Sequence, residues 1–474
     1  MNRQKGFKET LALFRWAAKT VPAYKKFLKK NNVDPEDIKT PEDFQGVPLM
    51  DKTNYLRAYP YEDLFPNRTI PPIVSMSSGS SGQPFYWPRG FAQENAGGKL
   101  HEVVVRDIFR IQKQKTLVII CFSMGTWIAG AFTASSFRWL AKKGYNISIL
   151  TPGIEKEDAL AILRDFAPHF ERVILAGYPP FLMDVITEAH NRDIKVKRLH
   201  LNLILAGENF SEIWRKTIHG LTGIKDSLGG SVSIYGTADA DMCGHESPLT
   251  IFIRKQADRN HAFAKDFFGE ISFLPSLVHY HPEIKFFERI DGQLVFSAMS
   301  GIPLIRYNIK DQGQLYDFGH AKKILKAHGY WDDVTKQGLD QWKLPMLTLA
   351  GRKDVSVTFY ALNIYPENFK AGLEDKLVSS FLTGKFIAQT KAVNRNRDQQ
   401  LVLNVELQRD DKPSNGKIKL VKEVIFQHLI KLNSEYRKLH ASIGDKALPY
   451  IELIPFGDPM FQVKKSKHRW VTRQ

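Results

Sequence analysis

Five short apolar runs, TLVIICF, YNISILT, RVILAGY, LNLILAG and SVSIYG, recur between residues 116 and 236. They are rich in branched aliphatic residues and nearly free of charge, the pattern of strands buried on both faces. The segments between them, such as KEDALAILRDFAPHF and PFLMDVITEAHNRD, have helical periodicity. Strand and helix in alternation predict an α/β domain with a largely parallel sheet flanked by helices. In such sheets ligands gather beyond the carboxyl ends of the strands. Three loops lie there: AGYPP (176–180), AGEN (206–209) and YGTADAD (235–241). Any one of them alone reads better as a plain turn.

Other stretches set the limits of that domain. The first thirty residues place Leu11, Phe14, Ala18, Val21, Tyr24 and Leu28 at helical spacing, and Pro22 predicts a break into two helices. After LPMLTLAGRKD the texture changes, and residues 350–474 read as a separate small α+β domain following a large domain of residues 1–349. There LVLNVEL and YIELIPF are predicted strands, and IKLVKEVIFQHLIKLNSEYRKL one long amphipathic helix. TLVIICFSMGTWIAGAFTASSF is 22 residues without a charge, long enough to span a bilayer. Its β-branched start and the glycine that follows favour a buried strand and a turn instead.

The formal charge of +17 points to an anionic partner or substrate. No zinc-finger spacing or RNA-binding signature accompanies it, so specific nucleic-acid recognition is not expected. Two cysteines, Cys121 and Cys243, cannot build a disulfide framework. With an N-terminus lacking a signal-peptide core, they lead us to expect a cytoplasmic location.

Residues Ser75 to Gly82 hold five serines and two glycines. Glycines and small hydroxyls let backbone N–H groups and side-chain O–H groups converge on an anion. No GKS or GKT closes the loop, and no GxSxG is present in it, which excludes a Walker loop and a hydrolase elbow. Alone, SSGSSG reads equally as a flexible linker.

Four segments in order resemble the motifs of the adenylate-forming (acyl-CoA synthetase) superfamily, in particular its phenylacetate–CoA ligase branch. SSGSSGQP (77–84) is similar to that family's SSGTTGKP phosphate loop, and YGTAD (235–239) to its YGSTE. PLIRY (303–307) followed by Asp311 resembles PLIRYRTGD, and GRKD (351–354) with NIYP (363–366) resembles GRxDDxxxxxGVNxFP. The opening TVPAYKKFLKKNNVDPEDIKTPEDFQGVPLMDKTNY is similar to that branch's first helices, so the likeness covers nearly the whole chain.

The resemblance implies a two-step ligase. A carboxylic acid attacks the α-phosphate of ATP, pyrophosphate leaves, and the acyl group passes to a thiol, of CoA or of a carrier protein. It implies that Ser77, Ser78, Gly79, Ser80, Ser81 and Gly82 hold the β- and γ-phosphates. Gly207, Glu208 and Tyr235 flank the adenine, with Gly236 and Thr237 also binding the nucleotide; Asp239, after Thr237, binds Mg²⁺; Asp311 holds the ribose hydroxyls with Arg352 beside it. A hinge is expected at Asp354. The family's C-terminal catalytic lysine maps to Lys467, with Lys464 and Lys465 as alternatives. The acyl pocket is expected from Phe122, Ser123, Trp127, Tyr178 and Asn209, whose uncharged, aromatic character suits an aryl or fatty acid.

Departures from the motifs bear on the acceptor and on metal. Gln83 stands where the phosphate loop usually has lysine, Val355 where a second hinge aspartate is common, and Ala361 where relatives have a glycine beside the CoA arm. These motivate two other readings: transfer to an amine or sugar, and a nucleotide-binding relative without catalysis. Some relatives bind zinc near Cys243 and His245, but no further Cys or His stands at ligand spacing here.

Overall fold

A computed structural model of the chain describes residues 2–77, 85–271, 273–350, 357–360, 362–393, 399–461 and 471. Internal contacts divide it into two compact units. The first comprises Met1–Glu208, Ile218–Lys255 and Leu277–Leu349; the second comprises Asn209–Thr217, Gln256–Ser276 and Ala350–Gln474.

In chain order the larger unit carries β1 (Ile73–Met76), β2 (Tyr86–Arg89), β3 (Thr116–Cys121), β4 (Ile147–Leu150), β5 (Arg172–Gly177), β6 (Leu201–Ala206) and β7 (Ser231–Thr237). It continues with β8 (Asp241–His245), β9 (Ser276–His279), β10 (Lys285–Ile290), β11 (Gln293–Ser300), β12 (Ile302–Gln312), β13 (Leu315–Tyr316) and β14 (Met346–Leu349). Nine of these form one sheet in the order β13-β14-β9-β8-β7-β6-β5-β3-β4. The five runs singled out in the sequence are β3 to β7, and they pair in parallel throughout. All six residues of β3 are buried, as a strand covered on both faces requires. From β7 onward the chain turns back, and β7–β8, β8–β9 and β13–β14 are antiparallel.

The charge-free stretch 116–137 resolves into β3 followed by a helix from Ile128 to Lys142. Among the described residues no helix is long and apolar enough to cross a membrane.

A second, antiparallel sheet of β10, β11 and β12 packs against the N-terminal segment. Helices Asn2–Thr20 and Pro22–Lys30 are separated at the expected proline, with Val21 extended and Pro22 in the first helical position. Their buried Phe14, Tyr24 and Phe27 share one apolar cluster with Phe44, Tyr55, Phe287, Phe296 and Tyr307. This cluster ties residues 2–65 to the strand that carries the PLIRY motif.

The smaller unit holds β15 (Val357–Phe359), β16 (Leu362–Ile364), β17 (Leu382–Ala392), β18 (Gln399–Leu407) and β19 (Tyr450–Ile454), the last three as one sheet. Phe369, Phe386, Leu403, Ile425 and Ile451 lie in its core. The single long helix expected after β18 is instead two, Asn415–Leu432 and Ser434–Ile443. Asn433 makes the break: its backbone is extended and its side-chain oxygen accepts from Tyr436 N at 2.9 Å, capping the second helix. An asparagine offers the backbone this local alternative to continuing the helix.

Candidate active site

Two strands from different sheets meet through a pair of reciprocal hydrogen bonds. Tyr235 on β7 donates to Asp311 Oδ2 on β12 at 2.6 Å. Tyr307 on β12 donates to Asp239 Oδ2, just beyond β7, at 2.6 Å. Each segment contributes a tyrosine and, four residues later, a carboxylate, so each holds the other's acid. All four residues are buried. O–H···O⁻ bonds of this length are charge-assisted and rank among the stronger kind. Burial first, and then the Asp311 carboxylate, pushes the Tyr235 phenol well above its ordinary value, so it remains a proton donor.

Local backbone geometry aims these groups. Thr237 Oγ1 accepts from Ala240 N at 3.1 Å, and Asp241 takes the left-handed conformation, φ 56°, closing a tight turn that presents Asp239. Along β12 the register with β11 shifts, and Arg306 and Lys310 both have positive φ. Such irregularities bend a strand and re-aim its side chains. The bulge is held by the buried Arg306 guanidinium, which donates to Glu288 Oε2 and to the carbonyls of Gln45 and Val47.

The N-terminal segment follows β12 into the site. Met50 N donates to Arg306 O at 3.1 Å, and Asn308 N donates to Met50 O at 2.8 Å. Lys310 pairs with Asp51 at 3.3 Å. The next residue, Lys52, places Nζ 3.4 Å from Asp239 Oδ2 and 5.7 Å from the ring centre of Trp87 on β2.

The β1–β2 hairpin carries the serine–glycine loop. Ser77 lies at its mouth: its backbone N–H donates to Phe85 O, and its Oγ accepts from Phe85 N at 3.1 Å. Ser78, Gly79, Ser80, Ser81, Gly82 and Gln83 lie outside the described residues. The stalk beneath them is firmly anchored. Met76 N donates to Thr126 O at 2.8 Å beside Trp127. The buried Arg89 donates to Ser75 Oγ and Glu94 and stands 3.6 Å from Asp241. On the far side, Gly301 has φ +88°, and a Cβ there would fall 1.7 Å from the Pro88 carbonyl oxygen. The backbones of β2 and the β11–β12 turn therefore touch where only glycine fits. Asp239, Asp311, Lys52 and the root of the loop thus form one constellation.

The expected acyl-pocket residues divide. Phe122, Ser123 and Tyr178 follow the adjacent strands β3 and β5, whose ends pair Cys121 with Gly177. Phe122 and Tyr178 are buried, and Trp127 is half-buried beside the hairpin. Ser123 Oγ is buried without a hydrogen-bond partner. Gly207, φ +97°, turns the chain after β6, and Glu208 accepts a short hydrogen bond from the Tyr178 hydroxyl. Gly236 is exposed opposite Met242. Asn209 belongs to the second unit, where its Oδ1 accepts from Ser276 Oγ at 2.7 Å. Arg352, Asp354, Val355, Ala361, Lys464, Lys465 and Lys467 lie outside the described residues.

Cys243 and His245 sit on β8 in the core. Burial pushes the Cys243 thiol up to about 12 and the His245 imidazole down to about 3. Among the described residues no group of three or more His, Cys, Asp or Glu stands so as to hold a metal ion. The single carboxylate of Asp239, a hard oxygen donor, suits a nucleotide-bound Mg²⁺, which takes one or two protein carboxylates and keeps the rest of its shell from phosphate and water.

Three features here escaped the sequence. Tyr307 lies inside a motif, but its partner is 68 residues away. Arg89 carries no motif at all. Lys52 lies within the opening segment already likened to the family, yet nothing in its residue type separates it from the other lysines there.

No protein-family model matches the chain. A phenylacetate–coenzyme A ligase from Aromatoleum evansii is 23% identical over 328 residues, 68% of this chain and 68% of that protein. Among solved structures, a 2-hydroxyisobutyryl-CoA ligase in its postadenylation state, bound to an acyl-AMP, superposes with a TM-score of 0.71 at 15% identity. The match covers 100% of this chain and 89% of that one. An acyl acid amido synthetase in complex with 2,4-DB gives a TM-score of 0.63 at 14% identity, over 100% and 92%. This chain is therefore similar, at low identity, to phenylacetate–coenzyme A ligases, and it has the fold of the adenylate-forming ligase structures.

Proposed function

We propose that the chain is an ATP-dependent ligase that activates a carboxylic acid as acyl-AMP, releases pyrophosphate, and passes the acyl group to the thiol of CoA. The reciprocal Tyr235–Asp311 and Tyr307–Asp239 bonds are the observation that carries this reading. They join two motifs 72 positions apart around one buried pair of carboxylates, beside the root of the serine–glycine loop.

On this reading Asp311 accepts hydrogen bonds from the ribose hydroxyls, and Tyr235 fixes the orientation of that carboxylate. Gly207, Glu208 and Tyr235 border the adenine. Ser77 to Gly82 receive the β- and γ-phosphates on backbone N–H and hydroxyl donors. Asp239 would hold Mg²⁺, which when bound would supply charge neutralisation for the phosphates. Phe122, Ser123, Trp127 and Tyr178 receive the acid, an aryl or fatty one. The substrate's carboxylate oxygen forms a bond to the α-phosphorus as the bond to the β-phosphate bridging oxygen breaks. The protein's share of this chemistry is positioning and charge neutralisation. Lys467, or Lys464 or Lys465, neutralises charge on the reacting groups. Residues 1–349 and 350–474 act as two domains about a hinge at Asp354, one arrangement for each half-reaction.

Transfer to an amine is the second reading, supported by the fold-level likeness to the amido synthetase and by Ala361 at the expected CoA approach. Mass spectrometry of products separates the two. With ATP and an acid alone we expect acyl-AMP; added CoA gives acyl-CoA, whereas added amines give amides on the second reading. A panel of aryl, fatty and hydroxy acids that yields no acyl-AMP would overturn both, leaving a nucleotide binder without catalysis.

A further inference from the structure

Between residues 3 and 30 stand nine lysines and arginines and one acid, Glu9, a surplus of 8 out of the chain's +17. All ten are exposed. Helices Asn2–Thr20 and Pro22–Lys30 commit their apolar faces to the core through Phe14, Tyr24, Phe27 and Leu28, which leaves their opposite faces to solvent. At 3.6 residues per turn, Lys5, Lys8, Arg15, Trp16 and Lys19 fall within an arc of about 100° on the first helix. On the second, the exposed set includes Lys25, Lys26, Lys29 and Lys30.

This charge is largely uncompensated. Among the described residues Lys26 alone of the nine makes an ion pair, with Asp63 at 2.8 Å. Arg15 donates to the Ile38 carbonyl, and Arg3 stands 5.9 Å from the ring centre of Phe286, contacts that neutralise neither cation. Lys25 with Lys29, and Lys26 with Lys30, are like charges four positions apart on one helix, each pair mildly destabilising by itself. An anionic surface relieves that repulsion.

Two observations say what kind of anion fits. Trp16, 39% exposed, stands inside the basic arc, and an indole among cations suits the head-group level of a bilayer. Where the two helices meet, a cavity of about 540 Å³ is lined by Ala18, Leu28, Val33 and Pro35 together with Lys25, Lys29 and Asp34. Apolar and cationic groups side by side match a phospholipid head and its first methylenes better than a wholly polar polyanion.

We propose that the exposed faces of these two helices form a docking surface for an anionic phospholipid bilayer. The lysines approach lipid phosphates and carboxylates, and Trp16 seats at head-group level. The apolar faces stay in the core, so the chain lies on the membrane and does not enter it. The proposal goes beyond the ligase reading and does not depend on it.

Co-sedimentation of the full chain with vesicles tests this, using phosphatidylcholine alone and phosphatidylcholine with one-third phosphatidylglycerol. It is run at 0.1 M and at 1 M salt, between which the screening length shrinks from about 10 to about 3 Å. Binding to the anionic vesicles is expected at the lower salt, at least about tenfold tighter than to the neutral ones, and lost at the higher. Replacing Lys19, Lys25, Lys29 and Lys30 together by Gln should weaken it at least about a hundredfold. If that variant melts at a lower temperature than the wild type, Lys25→Gln with Lys29→Gln replaces it, with a loss of about tenfold. Trp16→Ala should weaken vesicle binding severalfold and leave binding to polyglutamate or duplex DNA unchanged. No binding to the anionic vesicles, or equal binding by the lysine variant, overturns the proposal. Tighter binding to polyglutamate or DNA than to vesicles, with Trp16→Ala indifferent on both, assigns the surface to an acidic protein or nucleic acid and overturns it as well.

Discussion

Acid should destabilise the larger unit between about pH 6.5 and 5, because it buries histidines that resist a second proton. His245 and His279 face each other across β8 and β9. Burial lowers His245 to about 3 and His279 to about 4, and likewise His101 to about 4. In each, Nδ1 faces a backbone carbonyl, of Glu246, Pro345 and Gly97 respectively. Nε2 of His245 and His279 is buried without a partner. The neighbouring charges do not relieve this. His281 lies 5.8 Å from His245, ring to ring, with Glu283 beyond it, and the Glu246 carboxylate is engaged by Arg254.

The unfolded chain binds protons below about pH 6.5 that the folded chain refuses, so stability is full above that value and falls toward pH 4. At pH 5 each histidine contributes a loss of about 2 kcal/mol, and three together about 6 kcal/mol. Asp241, raised to about 6 by burial, works in the opposite direction, because the folded state takes up its proton first. It offsets about 1 kcal/mol between pH 6 and 5. The histidines win, leaving a net loss of about 4 to 5 kcal/mol, a large part of the stability of an ordinary domain. Urea unfolding of the full chain, followed by tryptophan fluorescence from pH 7.5 to 5, measures this. His245→Gln with His279→Gln should remove about two-thirds of the histidine-driven slope. A wild-type stability that is flat over that range, or a slope that survives both substitutions, would refute the reasoning.

Three further outcomes follow from particular contacts. Tyr307→Phe deletes the hydroxyl that holds Asp239 and should cost about 1.5 to 3 kcal/mol in urea unfolding, with slower adenylation at saturating ATP. Gly301→Ala forces a methyl into the Pro88 carbonyl at a positive φ and should cost more than about 2 kcal/mol, measured the same way; a neutral result would contradict the hairpin's placement. Asp354→Pro should spare one half-reaction and impair the other in separate assays of acyl-AMP formation and thiol transfer, and equal loss of both would count against the two-arrangement picture.

The parallel half of the nine-stranded sheet was legible because strands buried on both faces must be apolar along their whole length, as TLVIICF is. Its antiparallel half was not, since β8 (DMCGH) and β9 (SLVH) are short and mix polar with apolar residues even though every one is buried. The motif aspartates could be found by resemblance, because Asp239 and Asp311 sit inside or beside runs similar to the family's motifs. Their tyrosine partners could not, because the pairing depends on two sheets meeting. Lys52 was hidden for a related reason: its placement comes from backbone bonds between Met50 and β12, more than 250 positions along the chain, and those bonds use no side-chain identity. The break at Asn433 was missed because the apolar periodicity runs on through it, while the cap depends on one side-chain hydrogen bond.

Exchange of labelled pyrophosphate into ATP, run over a broad set of carboxylic acids with the wild-type chain and Asp311→Ala, bears most directly on whether the braced carboxylates surround one ATP. The account predicts acid-dependent exchange in the wild type, lost at least about a hundredfold in a variant that still folds. Exchange that continues undiminished without the Asp311 carboxylate would contradict it.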